Sequence, residues 1–187
     1  MINIYQNITG STLNYNKIHI IGGPCTGKSY ILDKLVNSDM DGNIYSTLSL
    51  DDIFWKSDVD TFGIKENVDI RDKKLFDFLN NNYRYIVEGS YINEWIKPSL
   101  DRADMIFVLI LEYDIVEKRI LERFYKRKCG VEKSSKIETE QSINDLLLWA
   151  KTYPNKLNNS INDGILSRYT DKIVFLNDNM EICQYLV

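Results

Sequence analysis

Gly22-Gly23-Pro24-Cys25-Thr26-Gly27-Lys28-Ser29 completes the pattern G-x-x-x-x-G-K-S, and it restricts what this chain can fold into more than any other segment. The pattern works only where a strand runs into a tight loop and the loop into a helix. Both neighbours are written beside it. Lys17-Ile18-His19-Ile20-Ile21 is a short β-branched run, and Ile31, Leu32, Leu35 and Val36 follow the stripe of an amphipathic helix. Glycines let successive backbone N–H groups turn inward, and the helix adds the positive end of its dipole, so the loop forms an anion cup before any side chain acts. Gly22, Gly23, Pro24, Cys25, Thr26, Gly27, Lys28, Ser29 and Tyr30 are therefore expected to bind a nucleoside triphosphate. Lys28 would act on the β- and γ-phosphates as a point charge, and the Ser29 hydroxyl would join the oxygen shell of Mg²⁺.

Strand-like and helix-like patterns alternate along the rest of the chain. Strands are expected over Ile44–Leu50, Tyr83–Val87, Met105–Leu111 and Lys172–Leu176. Between and after them lie helical stretches near Asn67–Asn80, Ile92–Leu100, Asp114–Lys128 and Glu138–Thr152, with another beginning near Asn179. Such βα repetition predicts an α/β fold, a parallel sheet covered by helices. With 187 residues, 44% of them apolar, one substantial core and hence one domain is expected. A net charge of −4 argues against nonspecific coating of nucleic acid. Three widely spaced cysteines give neither a metal spacing nor a disulfide framework and fit a reducing cytoplasm. Residues Met1–Asn16 lack the pattern of a leader, and no apolar run has the length of a membrane span.

Ligand sites in parallel sheets lie beyond the carboxyl ends of the strands, and those positions here are acidic. Asp51 follows the second strand, Glu88 the third and Glu112 the fourth. Beside a phosphate loop a carboxylate can hold Mg²⁺ or accept a proton from an attacking hydroxyl. Glu88 is the candidate for the metal, with Ser29, and Asp51 for the acceptor. Helix capping competes as an explanation for Asp51, and more strongly for Glu112. The stretch from Glu117 to Lys128 holds six basic residues against two glutamates. Arg123 and Arg127, one turn apart, are candidates for the transferring phosphate, where a planar guanidinium grips two oxygens. A solvated basic face or a nucleic-acid patch is the alternative. Gly130 and the polar run to Lys136 suggest a flexible tip, so 117–137 is expected to form a lid. Arg71 is a weaker candidate for an anionic acceptor, Trp55 and Tyr91 could line an acceptor pocket, and His19 is expected to be structural.

Three further blocks carry a resemblance. Leu50-Asp51-Asp52-Ile53-Phe54-Trp55, Tyr85-Ile86-Val87-Glu88-Gly89-Ser90-Tyr91 and Arg102-Ala103-Asp104-Met105-Ile106 resemble the L-D-x-x-x-W, W-I-x-D-G-x-Y and R-x-x-A-D blocks of the FlaR-like "DNA topology modulation" kinases. Together with the phosphate loop and Trp149-Ala150-Lys151-Thr152-Tyr153, the similarity runs from about Lys17 to Leu157. It implies a P-loop NTPase fold like that of nucleoside-monophosphate kinases, a five-stranded parallel sheet flanked by helices. It also implies ATP-dependent phosphoryl transfer to a small molecule, and it matches Arg119 and Arg123 to the arginine pair that opens the lid and covers the nucleotide. Glu88 replaces the usual Asp of that family, and Ser90-Tyr91 stands where adenylate kinase has Pro-Arg, so an AMP acceptor is not implied.

Two functional classes remain open on the sequence. One is a kinase using ATP and Mg²⁺ on a nucleotide or metabolite acceptor. The other is a nucleotide-dependent regulator, associated with nucleic acid or protein, that yields no phosphorylated small molecule. The guanine-reading N-K-x-D pattern is missing at Asn155-Lys156-Leu157-Asn158, and Asp60-Thr61-Phe62-Gly63 matches D-x-x-G without a preceding apolar strand.

Overall fold

Five strands form one parallel sheet in the order β2-β3-β1-β4-β5. They are β1 (Lys17–Gly22), β2 (Ser46–Ser49), β3 (Tyr85–Gly89), β4 (Met105–Leu109) and β5 (Ile173–Leu176). The computed structural model describes residues 15–37, 45–56, 64–133 and 137–186. The expected leader-free N-terminus, Ile44 and the Asp60–Gly63 segment fall largely or wholly outside them.

Central β1 pairs with β3 through Ile20↔Glu88 and with β4 through Ile20↔Phe107, so the ends of three strands come level beside the phosphate loop. Every residue of β3 and β4 is buried, as expected for strands covered on both faces. Side chains alternate between two cores. Ile18, Ile20, Phe107 and Leu109 pack on one face with α1 (Lys28–Asn37) and α5 (Tyr113–Lys128). Ile21, Val87, Ile106 and Val108 pack on the other with α2 (Leu50–Phe54), α3 (Val68–Asn81) and α4 (Lys97–Arg102). The long α6 (Glu140–Asn162) serves both cores, through Ile143 and Ala150 on one side and Tyr153 and Leu157 on the other. A 3₁₀ turn over Asn179–Ile182 and the short α7 (Cys183–Leu186) close the chain, where a single helix was expected.

Three boundaries differ from the sequence reading for identifiable reasons. Strand β2 stops at Ser49, and Leu50 already starts α2 because its side chain is wholly buried against β3. Glu88 lies inside β3 rather than after it. Helix α6 runs ten residues past Thr152, straight through Pro154. An interior proline costs about 3 kcal/mol. Burial of Tyr153 and Leu157, on the same stripe as Ala150, offsets this, since a fully buried large side chain contributes roughly 1.5–3 kcal/mol.

His19 is structural, as expected. It is fully buried in β1, and its Nδ1 shares a 2.8 Å hydrogen bond with the Ser99 hydroxyl of α4. Burial pushes its pKa down to about 3. Because the unfolded imidazole still titrates near 6.5, the unfolded state binds the extra proton between about pH 6.5 and 3, and stability falls as pH falls through that window. Between pH 7.5 and 5.5 this one group should cost about 1.4 kcal/mol. Urea unfolding at the two pH values should show wild type losing that much more than His19→Gln; equal losses would remove His19 from the acid sensitivity.

Candidate active site

The phosphate loop leaves β1 at Gly22 and enters α1 at Lys28. Gly22 has no room for a side chain, since a Cβ there would meet Thr26 Oγ1 at 2.7 Å and Leu109 Cβ at 3.0 Å. Gly27 adopts φ +93°, open to glycine at little cost, and Cys25 holds φ 54°. The Thr26 hydroxyl donates to Gly23 O at 3.0 Å and ties the loop across itself. Lys28 Nζ donates to Gly22 O at 3.0 Å, to Gly23 O at 2.8 Å and to Ser90 Oγ at 3.3 Å. The ammonium thus rests on loop carbonyls in the position from which it can turn toward a phosphate. Burial lowers its pKa, and Glu88 and Asp51 pull against that shift.

Glu88 and Ser29 meet as expected, with the Ser29 hydroxyl donating to Glu88 Oε1 at 3.4 Å. Burial raises the Glu88 pKa, while Lys28 and a hydrogen bond from Ser49 hold it down. A hydroxyl and a carboxylate are the hard oxygen donors that Mg²⁺ takes when phosphates and water complete its shell. Among the described residues no group of three or more His, Cys, Asp or Glu side chains could hold a metal ion by itself. The donor set therefore fits Mg²⁺ in company with a triphosphate.

Asp51 sits in the first turn of α2, exposed, with Ser49 at the N-cap position. Its Oδ1 accepts a 2.7 Å hydrogen bond from the Tyr91 hydroxyl, which burial and Asp51 together push to a higher pKa. The N-cap position of α2 thus belongs to Ser49, and the Asp51 carboxylate is engaged by Tyr91 instead. Glu112 is the residue at the N-cap position of α5, exposed, and it does not line the cavity at the loop.

That cavity encloses about 1320 Å³ and brings together Lys28, Ser29, Asp51, Glu88, Arg119 and Arg123. Arg127 lines it as well. The three arginines face it from one helix, α5, anchored by buried Val116, Ile120 and Phe124. Their circumstances differ. Arg119 Nη1 donates to Cys25 O at 3.4 Å. Arg127 donates to Glu132 Oε1 at 3.0 Å and to Glu138 Oε1, so its charge already faces two carboxylates. No hydrogen bond or ion pair engages Arg123 among the described residues, and its charge lowers the Cys25 thiol pKa against the rise from burial. Of the 117–137 stretch expected as a lid, residues up to Lys128 belong to α5, and Gly130 makes the turn beyond it at φ +72°. Residues 134–136 fall outside the described residues.

Arg71 does not face the cavity. Its guanidinium bonds to Asp72 Oδ1 through Nε at 2.9 Å and Nη2 at 2.7 Å and lies 4.4 Å from the Trp95 ring centroid. Trp55 and Tyr91 both line the cavity, as the sequence allowed. Asn179 was missed by the sequence reading: it is buried against Gly27, where any Cβ would collide with its amide, and it closes the cavity beside the loop. Only the fold links it to residue 27, and no motif marks it.

No helix among the described residues is long and apolar enough to cross a membrane. No family model matches the chain, and no curated protein matches it. Among solved structures it is similar to a candidate fructose transport system kinase from Silicibacter sp. TM1040, at 12% identity and TM-score 0.49 over 76% of this chain and 86% of that one. An uncharacterized protein from Eubacterium ventriosum ATCC 27560 is similar at 16% identity and TM-score 0.49, over 91% and 98% of the two chains. A sugar kinase from Janibacter sp. HTCC2649 is similar at 11% identity and TM-score 0.40, over 75% and 94%.

Proposed function

We propose that this chain is a P-loop kinase that transfers the γ-phosphoryl group of ATP to a hydroxyl of a small-molecule acceptor, in the manner of the FlaR-like kinases it resembles. One observation carries the reading. A complete phosphate loop opens into a cavity that also holds Arg123, unengaged among the described residues, a buried carboxylate next to the loop serine, and a second carboxylate in contact with a tyrosine hydroxyl. Phosphoryl transfer asks a protein mainly for positioning and for positive charge around the γ-phosphate, and this set supplies both.

In this reading Lys28 leaves the Gly22 and Gly23 carbonyls for the β- and γ-phosphates, and the loop N–H groups hold the β-phosphate. Ser29 and Glu88 would hold Mg²⁺, which would supply positive charge against the triphosphate when bound. Arg123 meets the γ-phosphate oxygens as charge spreads over them, and Arg119 covers the nucleotide. Arg127 reaches a phosphate only by exchanging Glu132 or Glu138 for it. Asp51 orients the acceptor hydroxyl and takes its proton. The acceptor oxygen forms a bond to the γ-phosphorus, the bond from that phosphorus to the bridging oxygen breaks, and ADP leaves with the electron pair. Any lid motion within 117–137 would belong to the part beyond the turn at Gly130, since Ile120 and Phe124 anchor α5 in the core. Three free cysteines agree with work in a reducing cytoplasm.

Mg-ATP should stabilise the folded protein by about 2.7 kcal/mol at a hundredfold excess over its dissociation constant. Lys28→Ala should lose most of that gain in a thermal melt. An unchanged melting temperature for folded wild type across millimolar ATP would mean that the loop is not a working site.

A further inference from the structure

A second cavity of about 670 Å³ adjoins the first, and Ser90, Tyr91 and Trp149 line both. Its volume lies in the range of small-molecule sites. One wall is aromatic, built by Phe54, Tyr91 and Trp149. The Phe54 and Tyr91 ring centroids are 4.6 Å apart, and the Trp149 and Tyr153 rings meet edge to face at 5.6 Å. The open rim carries the amides of Asn93 and Asn159. Two further lining residues, Tyr153 and Ser160, are 4% and 6% exposed, and their hydroxyl oxygens are closed off from the cavity surface and without a hydrogen-bond partner among the described residues. An unsatisfied buried hydroxyl costs about 1–3 kcal/mol.

The two cavities differ sharply in charge. Arg119, Arg123 and Arg127 all line the first, and no arginine among the described residues lines the second. The second holds one lysine, Lys156, exposed at the rim together with Asp163. A phosphate monoester in the second cavity would give up its hydration without the bidentate cation that holds such a group. An uncharged ring would instead lie on the aromatic wall, and its hydroxyls would meet the polar rim at Asn93 and Asn159.

Resting on the kinase reading, we propose that this cavity binds the phosphoryl acceptor, and that the acceptor is an uncharged, hydroxyl-bearing ring compound, a nucleoside or a sugar, rather than a nucleotide that already carries a phosphate. The shared residues Ser90 and Tyr91 form the passage. Tyr91 holds Asp51 through its hydroxyl, so an acceptor hydroxyl that reaches the passage meets the carboxylate that takes its proton. The new ester bond forms there, and the product leaves carrying the only phosphate the second cavity has met.

Calorimetric titration of the full chain saturated with Mg²⁺ and a non-hydrolysable ATP analogue, which fills the γ-phosphate position so that no monophosphate can enter it as product, tests this, with nucleosides and hexoses each set against its own monophosphate. An unphosphorylated member should bind, and its monophosphate should bind about tenfold more weakly or worse. Whether the binder is a nucleoside or a hexose separates the two sources. Asn93→Ala, at an exposed rim position whose side chain makes no cap hydrogen bond, should weaken the binder by about five- to tenfold and leave the Mg-ATP melting shift intact. Asn159→Ala offers the same comparison at a second rim position. If the monophosphates bind as tightly as their parents or more tightly, or if no unphosphorylated member binds while Mg-ATP still stabilises the protein, the inference falls and the kinase reading stands. If Mg-ATP gives no stabilisation, the kinase reading falls and takes the inference with it.

Discussion

Asp51→Asn is expected to keep Mg-ATP affinity nearly unchanged while acceptor-dependent turnover falls on the order of 10²- to 10⁴-fold, the range spanned by positioned general bases. The amide preserves shape and can still accept the 2.7 Å hydrogen bond from Tyr91, so the substitution removes basicity and little else. A negative charge in the first turn of α2 also favours the helix dipole, so a stability loss of roughly 0.3–1 kcal/mol is expected alongside. ATP affinity, metal dependence and turnover, measured on this one variant, separate three roles. Full turnover takes Asp51 out of the reaction. Loss of Mg²⁺ dependence together with ATP affinity moves Asp51 into the metal shell and displaces Glu88 from it.

Arg123→Ala should slow phosphoryl transfer on the order of 10²-fold or more while ATP binding weakens far less, the pattern of a contact made chiefly in the transition state. Arg123 is the arginine of α5 best placed for this, because Arg127 is engaged by Glu132 and Glu138 and Arg119 by the Cys25 carbonyl. Arg127→Ala should accordingly cost less than Arg123→Ala in single-turnover assays. Normal turnover for Arg123→Ala, with only DNA affinity at low salt reduced, would instead identify α5 as a nucleic-acid patch.

The phosphate loop and the sheet were legible because both are local. Eight consecutive residues fix the loop, and strands buried on both faces are written as unbroken apolar runs such as Met105–Leu109. Glu88 and Asp51 were singled out because parallel sheets put their sites at strand ends, and both line the cavity, although Glu88 lies within its strand and Asp51 within a helix. Pro154 misled the boundary of α6 because local propensity was outweighed by the tertiary burial of Tyr153 and Leu157. The pairing of Arg127 with Glu132 and Glu138 was hidden for a different reason: it depends on how the chain turns after Gly130. Neither Asn179 against Gly27 nor the second cavity could be read at all. They are assembled from residues such as Phe54, Tyr91 and Tyr153, far apart in sequence and brought together only by strand order.

Phosphorus NMR of the purified protein with Mg-ATP and a panel of nucleosides, sugars and other hydroxylated metabolites tests the central claim most directly. ADP should appear in step with one new phosphomonoester signal, only when a particular acceptor is present, and both should vanish in Asp51→Asn. ADP and free phosphate forming at the same rate with or without every acceptor, or forming only when DNA or a protein is added, would contradict the assignment as a small-molecule kinase.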